Sequence, residues 1–456
     1  MRSLFALILL LSGITIPLCG QEMPSSTNPA TAQPGSPAPA ATPVAPQIPQ
    51  AHVPPGAIYK QAMHPLDIVR SSLDNWSNSE LQALSVGMHI AREACAGANP
   101  SDYQGVDLYD LARLCALGQD WVRANGVAQE VLARGPEAYR TRAYATIVTA
   151  QVHLNDIDGA LKTTPEMLNT RSYDAEVAYT LVSMKSLLAQ QGRQSALALA
   201  AEEQPKILEA LKRHEPLTES QGDAAVGVGD LYEMAMQYAF LERYFMNRDG
   251  AAETVASLEA AVPPGTPLNV SDRETIDKIT TQYRLLGAKL PALEIQRSLF
   301  SKASKAQIDP NYGAATVLML FPDWCVSCRA EAKTLTQFAA VNKDTPIHAY
   351  GLVFLDDFGV AGQNSHEYNL KDLEGTATLL VSPVTARILG GIDYPMGIVI
   401  DKTGVVRFAG VIPVDAFNGG GYIEKVIVRM KADETNEQIP PPSPESNGNI
   451  PLSQNK

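Results

Sequence analysis

The sequence predicts two unlike folds in series: an all-α helical-repeat region over residues 57–304, then an α/β domain over residues 305–432. Three observations carry that expectation. From about 57 to 304 apolar residues recur at three- and four-residue steps, as in Ile276, Ile279, Tyr283 and Leu286, which is one face of an amphipathic helix. Near 305 the period changes, and Ala315–Phe321 (ATVLMLF) is a continuous apolar run of the kind a buried strand shows. Both ordered regions are also bounded by segments of another composition: of 32 prolines, ten lie between Pro24 and Pro55 and five between Pro440 and Pro451.

The first twenty residues read as an export signal, with Arg2 as the positive start, Leu4 to Ile16 as the apolar stretch, and Leu18-Cys19-Gly20 before a cleavage point at Gln21. The stretch is shorter than the ~20 residues of a membrane span. Pro17 and Leu18 make an imperfect cleavage site, so an uncleaved anchor is the alternative. Leu18 is also larger than the residue that normally precedes a lipidated cysteine, which argues against Cys19 in that role. Residues 21–56, rich in Pro, Ala, Ser, Thr and Gln, cannot bury enough apolar area to offset their ordering entropy and read as a semi-stiff tether. The tail 433–456, from Asp433, reads as disordered for the same reason.

The 456 residues carry 49 acidic and 36 basic side chains, a formal charge of −13, without a Lys/Arg-rich run. Such a surface is unsuited to neutralising phosphates, so nucleic acid is excluded as a partner. Hydrophobic residues make up 45%, enough for real cores.

Within the helical region Ser77 with Glu80, and Ser271 with Glu274, have capping-box spacing. A repeat is visible as well. GQDWVRA ends at Ala124, LNDIDGA at Ala160 and QQGRQSA at Ala196, 36 residues apart each time, and MNRDGAA repeats the theme at Ala251. Leu111 and Ile147 precede the Ala by thirteen positions, and Leu132 and Leu168 follow it by eight. A turn followed by a small residue where two helices cross is what a helical-hairpin solenoid needs. Residues 107–260 thus resemble degenerate tetratricopeptide repeats, with an irregular helical bundle as the alternative.

In the α/β region, helix is expected over Val326–Asn342 and again over Gly421–Lys431. Strands are expected at Ile347–Phe354, Met396–Ile400 and Gly404–Val411, with Lys402-Thr403-Gly404 as the turn between the last two.

Without Cys19 the chain holds four cysteines, and their spacings divide them. Cys325 and Cys328 form a Cys-x-x-Cys at the junction of the first strand and its helix. There the unpaired N–H groups of a helix start stabilise a thiolate on Cys325, with Cys328 one turn in and able to resolve a mixed disulfide. Cys95 and Cys115 are twenty apart. In a simple antiparallel hairpin Cys95 faces Asp107 and leaves Cys115 more than a turn away, beyond the roughly 7 Å between Cα atoms that a bridge allows. They therefore read as two small buried residues, with pairing as the alternative.

The segment LMLFPDWCVSCRAEA resembles the thioredoxin superfamily, and within it the exported thiol–disulfide reductases of the TlpA/ResA type. Phe321, Trp324, Cys325, Cys328, Arg329 and Glu331 meet that pattern, and Asp323-Trp-Cys-Val-Ser-Cys328 also looks like the C-terminal thioredoxin domain of DsbD. The resemblance covers about 305–432. It implies a redox-active Cys325–Cys328 pair, Pro395 as a cis-proline after Tyr394, and Trp324, Tyr394 and Pro395 at the substrate. It also implies a bacterial periplasmic setting, exported protein disulfides as clients, and a membrane thiol carrier as electron donor. Two departures stand out. Ser327 replaces the proline of many relatives, and Met319 occupies the place of a buried acid, leaving Glu331 as the nearest acid by sequence, three residues past Cys328. Glu331 is therefore a candidate proton-handling group, its alternative being an exposed carboxylate in the first helical turns.

Other readings of the pair fit less well. A zinc site wants a second Cys pair or nearby His, a copper carrier wants a partnering His where only His348 and His366 exist, and a structural disulfide would not need the Trp before it. No cofactor or metal is expected. The sequence thus favours a thiol–disulfide oxidoreductase whose helical repeats bind a protein partner. The alternative is a repeat scaffold with a vestigial or docking redox domain.

Overall fold

The computed structural model describes residues 53–437 except 73–77, 171–172, 219–224, 246, 300–307, 309–312, 342–345, 356–369, 392 and 414–415. The export signal, most of the tether, Ser77 and His366 fall outside the described residues. Among those described, the chain is mostly helical with one six-stranded mixed sheet, and no helix is long and apolar enough to cross a membrane.

Helices α1 (Pro55–Ser72), α2 (Asn78–Gly97), α3 (Gly105–Leu117), α4 (Trp121–Arg134), α5 (Arg140–His153), α6 (Ile157–Leu168), α7 (Ala175–Gln190) and α8 (Ser195–Leu211) come first. A two-residue hairpin, β1 (Leu217–Thr218) with β2 (Ala225–Val226), separates them from α9 (Val228–Tyr244), α10 (Arg248–Ala261) and α11 (Val270–Leu285). The turns between α3 and α4, α5 and α6, α7 and α8, and α9 and α10 close alike. In each, the N–H of Asp120, Asp156, Arg193 or Asn247 bonds the carbonyl five residues back. Gln119, Asn155 and Gly192 supply the left-handed residue at three of these reversals. Ala124, Ala160, Ala196 and Ala251 are wholly buried just inside the second helix of each pair, where a larger side chain would hold the helices apart.

Two local expectations change. The expected box at Ser271 and Glu274 is replaced by an Asn269 cap, whose side-chain oxygen accepts from Asp272 N–H at 2.8 Å, so α11 starts two residues early. Cys95 and Cys115 are bonded, with Cα atoms 5.1 Å apart. The hairpin is not simple: Arg92 bonds the Gly118 carbonyl at 3.0 Å, so α2 lies against the end of α3 rather than its start. The linker 98–104 carries the first turns of α3 past the end of α2, where Tyr109 stacks on Tyr139. That offset brings Cys115 to Cys95.

The sheet runs β3 (Ile295–Ser298), β6 (Thr378–Val381), β5 (Ile347–Phe354), β4 (Ala315–Pro322), β7 (Met396–Asp401), β8 (Val406–Val411). β4, β5 and β6 are parallel, and β7 and β8 return antiparallel. Helix α12 (Val326–Val341) crosses from β4 to β5, α13 (Pro383–Ile388) precedes β7, and α14 (Tyr422–Glu437) is the last element among the described residues. β4 is buried at every position because both faces are covered. Val317, Met319 and Phe321 pack under α12 and α14, while Leu318 and Leu320 pack with Leu285 and Leu389 on the other side. A central β4–α12–β5 crossover followed by the β7–β8 hairpin and α14 matches the strands and helices expected from the sequence pattern at these positions.

Four strands were not expected. β1, β2 and β3 lie upstream of 305, in a stretch read as uninterrupted helix, and β6 lies in a segment read as helix alone. The helical region and the sheet are also tied together. Gly287 N–H bonds Val406 O at 2.8 Å, Gln282 donates to Gly390 O at 2.7 Å, and Arg429 lies over the Tyr244 and Phe245 rings. Helix α14 reaches Glu437 and so takes in the first five residues of the segment expected to be disordered from Asp433; residues 438–456 are not among those described.

Candidate active site

β4 ends at Pro322, and the chain turns through Asp323 and Trp324 into Cys325, the residue before α12. Asp323 N–H bonds Phe354 O at 3.0 Å, which anchors the turn to the end of β5, and Cys325 N–H bonds Pro322 O at 3.1 Å. Cys325 and Cys328 are joined, with Cα atoms 5.3 Å apart. Cys325 is 7% exposed and Cys328 wholly buried, so any partner must meet Cys325 first.

The surroundings favour a charged Cys325 sulfur. Cys328 N–H donates to its Sγ at 3.3 Å, and the Ser327 hydroxyl lies 3.5 Å from it. Both sit at the positive end of α12. When the bond is open, the same groups stabilise a Cys325 thiolate, whereas Cys328 is shielded beneath it.

Trp324 and Tyr394 are half-buried and pack against the core cluster that holds both cysteines. The Tyr394–Pro395 peptide bond is cis, Pro395 accepts from Ile412 N–H at 3.0 Å, and Tyr394 packs on Phe354, the residue that anchors the motif turn. Met319 belongs to the same cluster, so the strand offers the cysteines no acid. Glu331 is half-buried on α12, one turn beyond Cys328. His348 starts β5, opposite Thr316, and is thus at the far end of the sheet from Cys325. Among the described residues no cluster of three His, Cys, Asp or Glu is placed to hold a metal.

One arrangement was not foreseen. Arg329 is buried, donates from Nη1 to the Asp323 carbonyl, and pairs through Nε with Asp372 at 2.9 Å. It therefore clips the motif turn to the 3₁₀ turn Lys371–Leu373. Arg329 was visible as the basic residue of the motif, but Asp372, 43 residues on, carries no local signal.

No family model and no curated protein matches the chain. Several solved structures resemble part of it. The thioredoxin domain of a thiol-disulfide oxidoreductase from Bacteroides vulgatus shares 16% identity over 31% of this chain and 97% of its own, at a TM-score of 0.25. A thiol:disulfide interchange protein from Bacteroides sp. shares 16% over 31% and 90%, at 0.24. StoA from Bacillus subtilis shares 15% over 31% and 98%, at 0.22.

Proposed function

We propose that this chain is an exported thiol–disulfide oxidoreductase acting as a reductase in a bacterial periplasm, with Cys325 as nucleophile and Cys328 as resolving thiol. One observation carries the reading. The Cys325 sulfur sits at a helix start, accepts a backbone N–H, and has Cys328 one turn below it within bonding distance.

In the reducing direction the Cys325 thiolate attacks one sulfur of a client disulfide, forming a mixed disulfide and releasing the other client sulfur as a thiolate that takes up a proton. Cys328, losing its proton, then attacks Cys325 Sγ. The client leaves with two thiols, and the protein returns to the closed Cys325–Cys328 state, having given up two electrons. An external dithiol, here a membrane thiol carrier, must restore them. Trp324, Tyr394 and Pro395 receive the client beside the sulfur, Glu331 handles the Cys328 proton, and the tetratricopeptide-like helical pairs choose the protein partner. The shared turn geometry and the buried alanines support that last assignment.

The test is the reduction potential of the Cys325–Cys328 pair, read by equilibration with glutathione. A strongly reducing value supports the reductase. A value near about −120 mV, that of a strong oxidant, overturns that direction, and failure of the dithiol to reduce insulin overturns the enzyme reading altogether.

A further inference from the structure

Arg329 follows Cys328 directly and stands four residues after Cys325, the spacing that puts two side chains on one helix face. Long side chains of a helix run back over the turn before them. That of Arg329 does so, for its Nη1 donates to the carbonyl of Asp323, two residues before Cys325. The backbone closes the same loop, with Arg329 N–H bonding Cys325 O at 3.1 Å. A fixed positive charge therefore lies against the turn that carries the Cys325 sulfur.

The two halves of the Arg329–Asp372 ion pair sit in unlike surroundings. Arg329 is buried, whereas Asp372, whose Oδ2 meets Arg329 Nε at 2.9 Å, is exposed. A buried charge acts through a medium of lower dielectric, and water screens the carboxylate more than the guanidinium. The pair thus presents a net positive field to the turn, which Asp372 reduces without cancelling.

We propose that Arg329 is a positioning residue whose charge favours the thiolate of Cys325, and that Asp372 tempers it, so that the two together tune the exchange. The inference rests on the exchange proposed for Cys325 and Cys328 and adds the groups that adjust it. The helix start and the Cys328 N–H act on the sulfur as partial charges, and Arg329 adds a full one. A more stable thiolate stabilises the reduced form, which makes the dithiol a weaker reductant. Removing the Arg329 charge should therefore raise the Cys325 pKa and make the pair more reducing. Removing the Asp372 charge should do the opposite on both counts. The other titratable groups on the described elements around the motif turn are Asp323, Glu331 of α12, Lys371 of the 3₁₀ turn, Tyr394, Tyr422 of α14 and Tyr244 of α9. The variants leave all six in place, so their effects cancel from the difference.

The experiment is the pH profile of Cys325 alkylation by iodoacetamide in the reduced full-length protein, with equilibration against glutathione as the second readout. Arg329→Met should move the profile up by about half a pH unit or more and shift the equilibrium about threefold toward the disulfide. Asp372→Asn should move the profile down and the equilibrium toward the dithiol. Arg329→Lys, which keeps the charge and loses the planar fork, should stay nearer the wild type than Arg329→Met. A pair that only held the turn would move the Met and Asn variants in the same direction, because both loosen it. That result, or an unchanged profile in both, overturns the proposal. If Arg329→Met fails to fold, Asp372→Asn decides alone: a profile that moves down supports the proposal, and one that stays or moves up overturns it. Alkylation needs no client. A wild-type protein that failed to reduce insulin would remove the oxidoreductase reading, and the profile would still decide what Arg329 does to Cys325.

Discussion

Cys95–Cys115 and Cys325–Cys328 hold their Cα atoms at nearly the same separation, 5.1 and 5.3 Å, but in opposite surroundings. The first joins the interiors of α2 and α3, both sulfurs fully buried among Leu108, Leu111 and Ala112. Neither end of that bond meets a helix start, so nothing there stabilises a thiolate. The second closes across the first turn of α12, with a backbone N–H on Cys325 Sγ and that residue 7% exposed. The difference teaches that access and local donors, rather than the bond itself, separate a structural staple from a bond suited to the exchange proposed for Cys325 and Cys328.

The strongest way to break this contrast is to open each bond from one side. Cys328→Ser should strand clients on Cys325 as mixed disulfides that reductant releases, and exchange should fall by orders of magnitude. Cys325→Ser should trap nothing, because the remaining thiol is buried. Residues 57–304 alone should still bind the trapped partner without covalent capture. Equal trapping by the two variants, read on non-reducing gels, would sink the assignment.

Opening the other bond should change stability and not chemistry. Cys95→Ala with Cys115→Ala removes a cross-link between positions twenty apart, worth about 3 kcal/mol in the chain-entropy account. The urea midpoint of the helical region should drop accordingly, while the rate of insulin reduction stays the same. A fall in that rate with no loss of stability would place Cys95–Cys115 in the electron path.

Arg329 sharpens the comparison, because it clips the Cys325–Cys328 turn to a segment 43 residues away in sequence. Arg329→Met removes the buried hydrogen bond to the Asp323 carbonyl, a loss of about 2 kcal/mol for a hydrogen bond to a charged group. Asp372 is 45% exposed, so Asp372→Asn should lose less than about 1 kcal/mol. Chemical unfolding of the two variants separates these values. Equal losses would mean that the ion pair, not the carbonyl contact, holds the turn.

How much of this was legible follows from what each feature depends on. The Cys325–Cys328 centre was readable because an apolar run, a Trp and a Cys-x-x-Cys fix the strand–helix junction within a dozen residues. The edge strand β3 (IQRS) has an exposed centre and no apolar alternation, so nothing marks it until β6 pairs with it. β6 (TLLV) has four residues, too few to carry a period of its own. The Cys95–Cys115 bond depends on the offset of α3 against α2, which tertiary packing sets, and Asp372 is a partner brought in from 43 residues away.

The smallest expected effect concerns the second half of the proposed redox cycle. Cys328 must lose its proton before it can attack Cys325, and in its buried position water cannot easily take it. Met319 offers no acceptor from β4, which leaves Glu331, half-buried one turn along α12 on the same face as Cys328. Glu331→Gln keeps the size and removes the base, so exchange should slow several-fold near neutral pH while the unfolding midpoint is unchanged. The defect should shrink as pH rises and hydroxide takes over the proton. Cys325 alkylation, which precedes the step, should be unaffected. A wild-type rate for the variant at every pH from 6 to 8 would make Glu331 a surface carboxylate at the head of α12, and the proton of Cys328 would then pass directly to solvent or to the departing client thiolate.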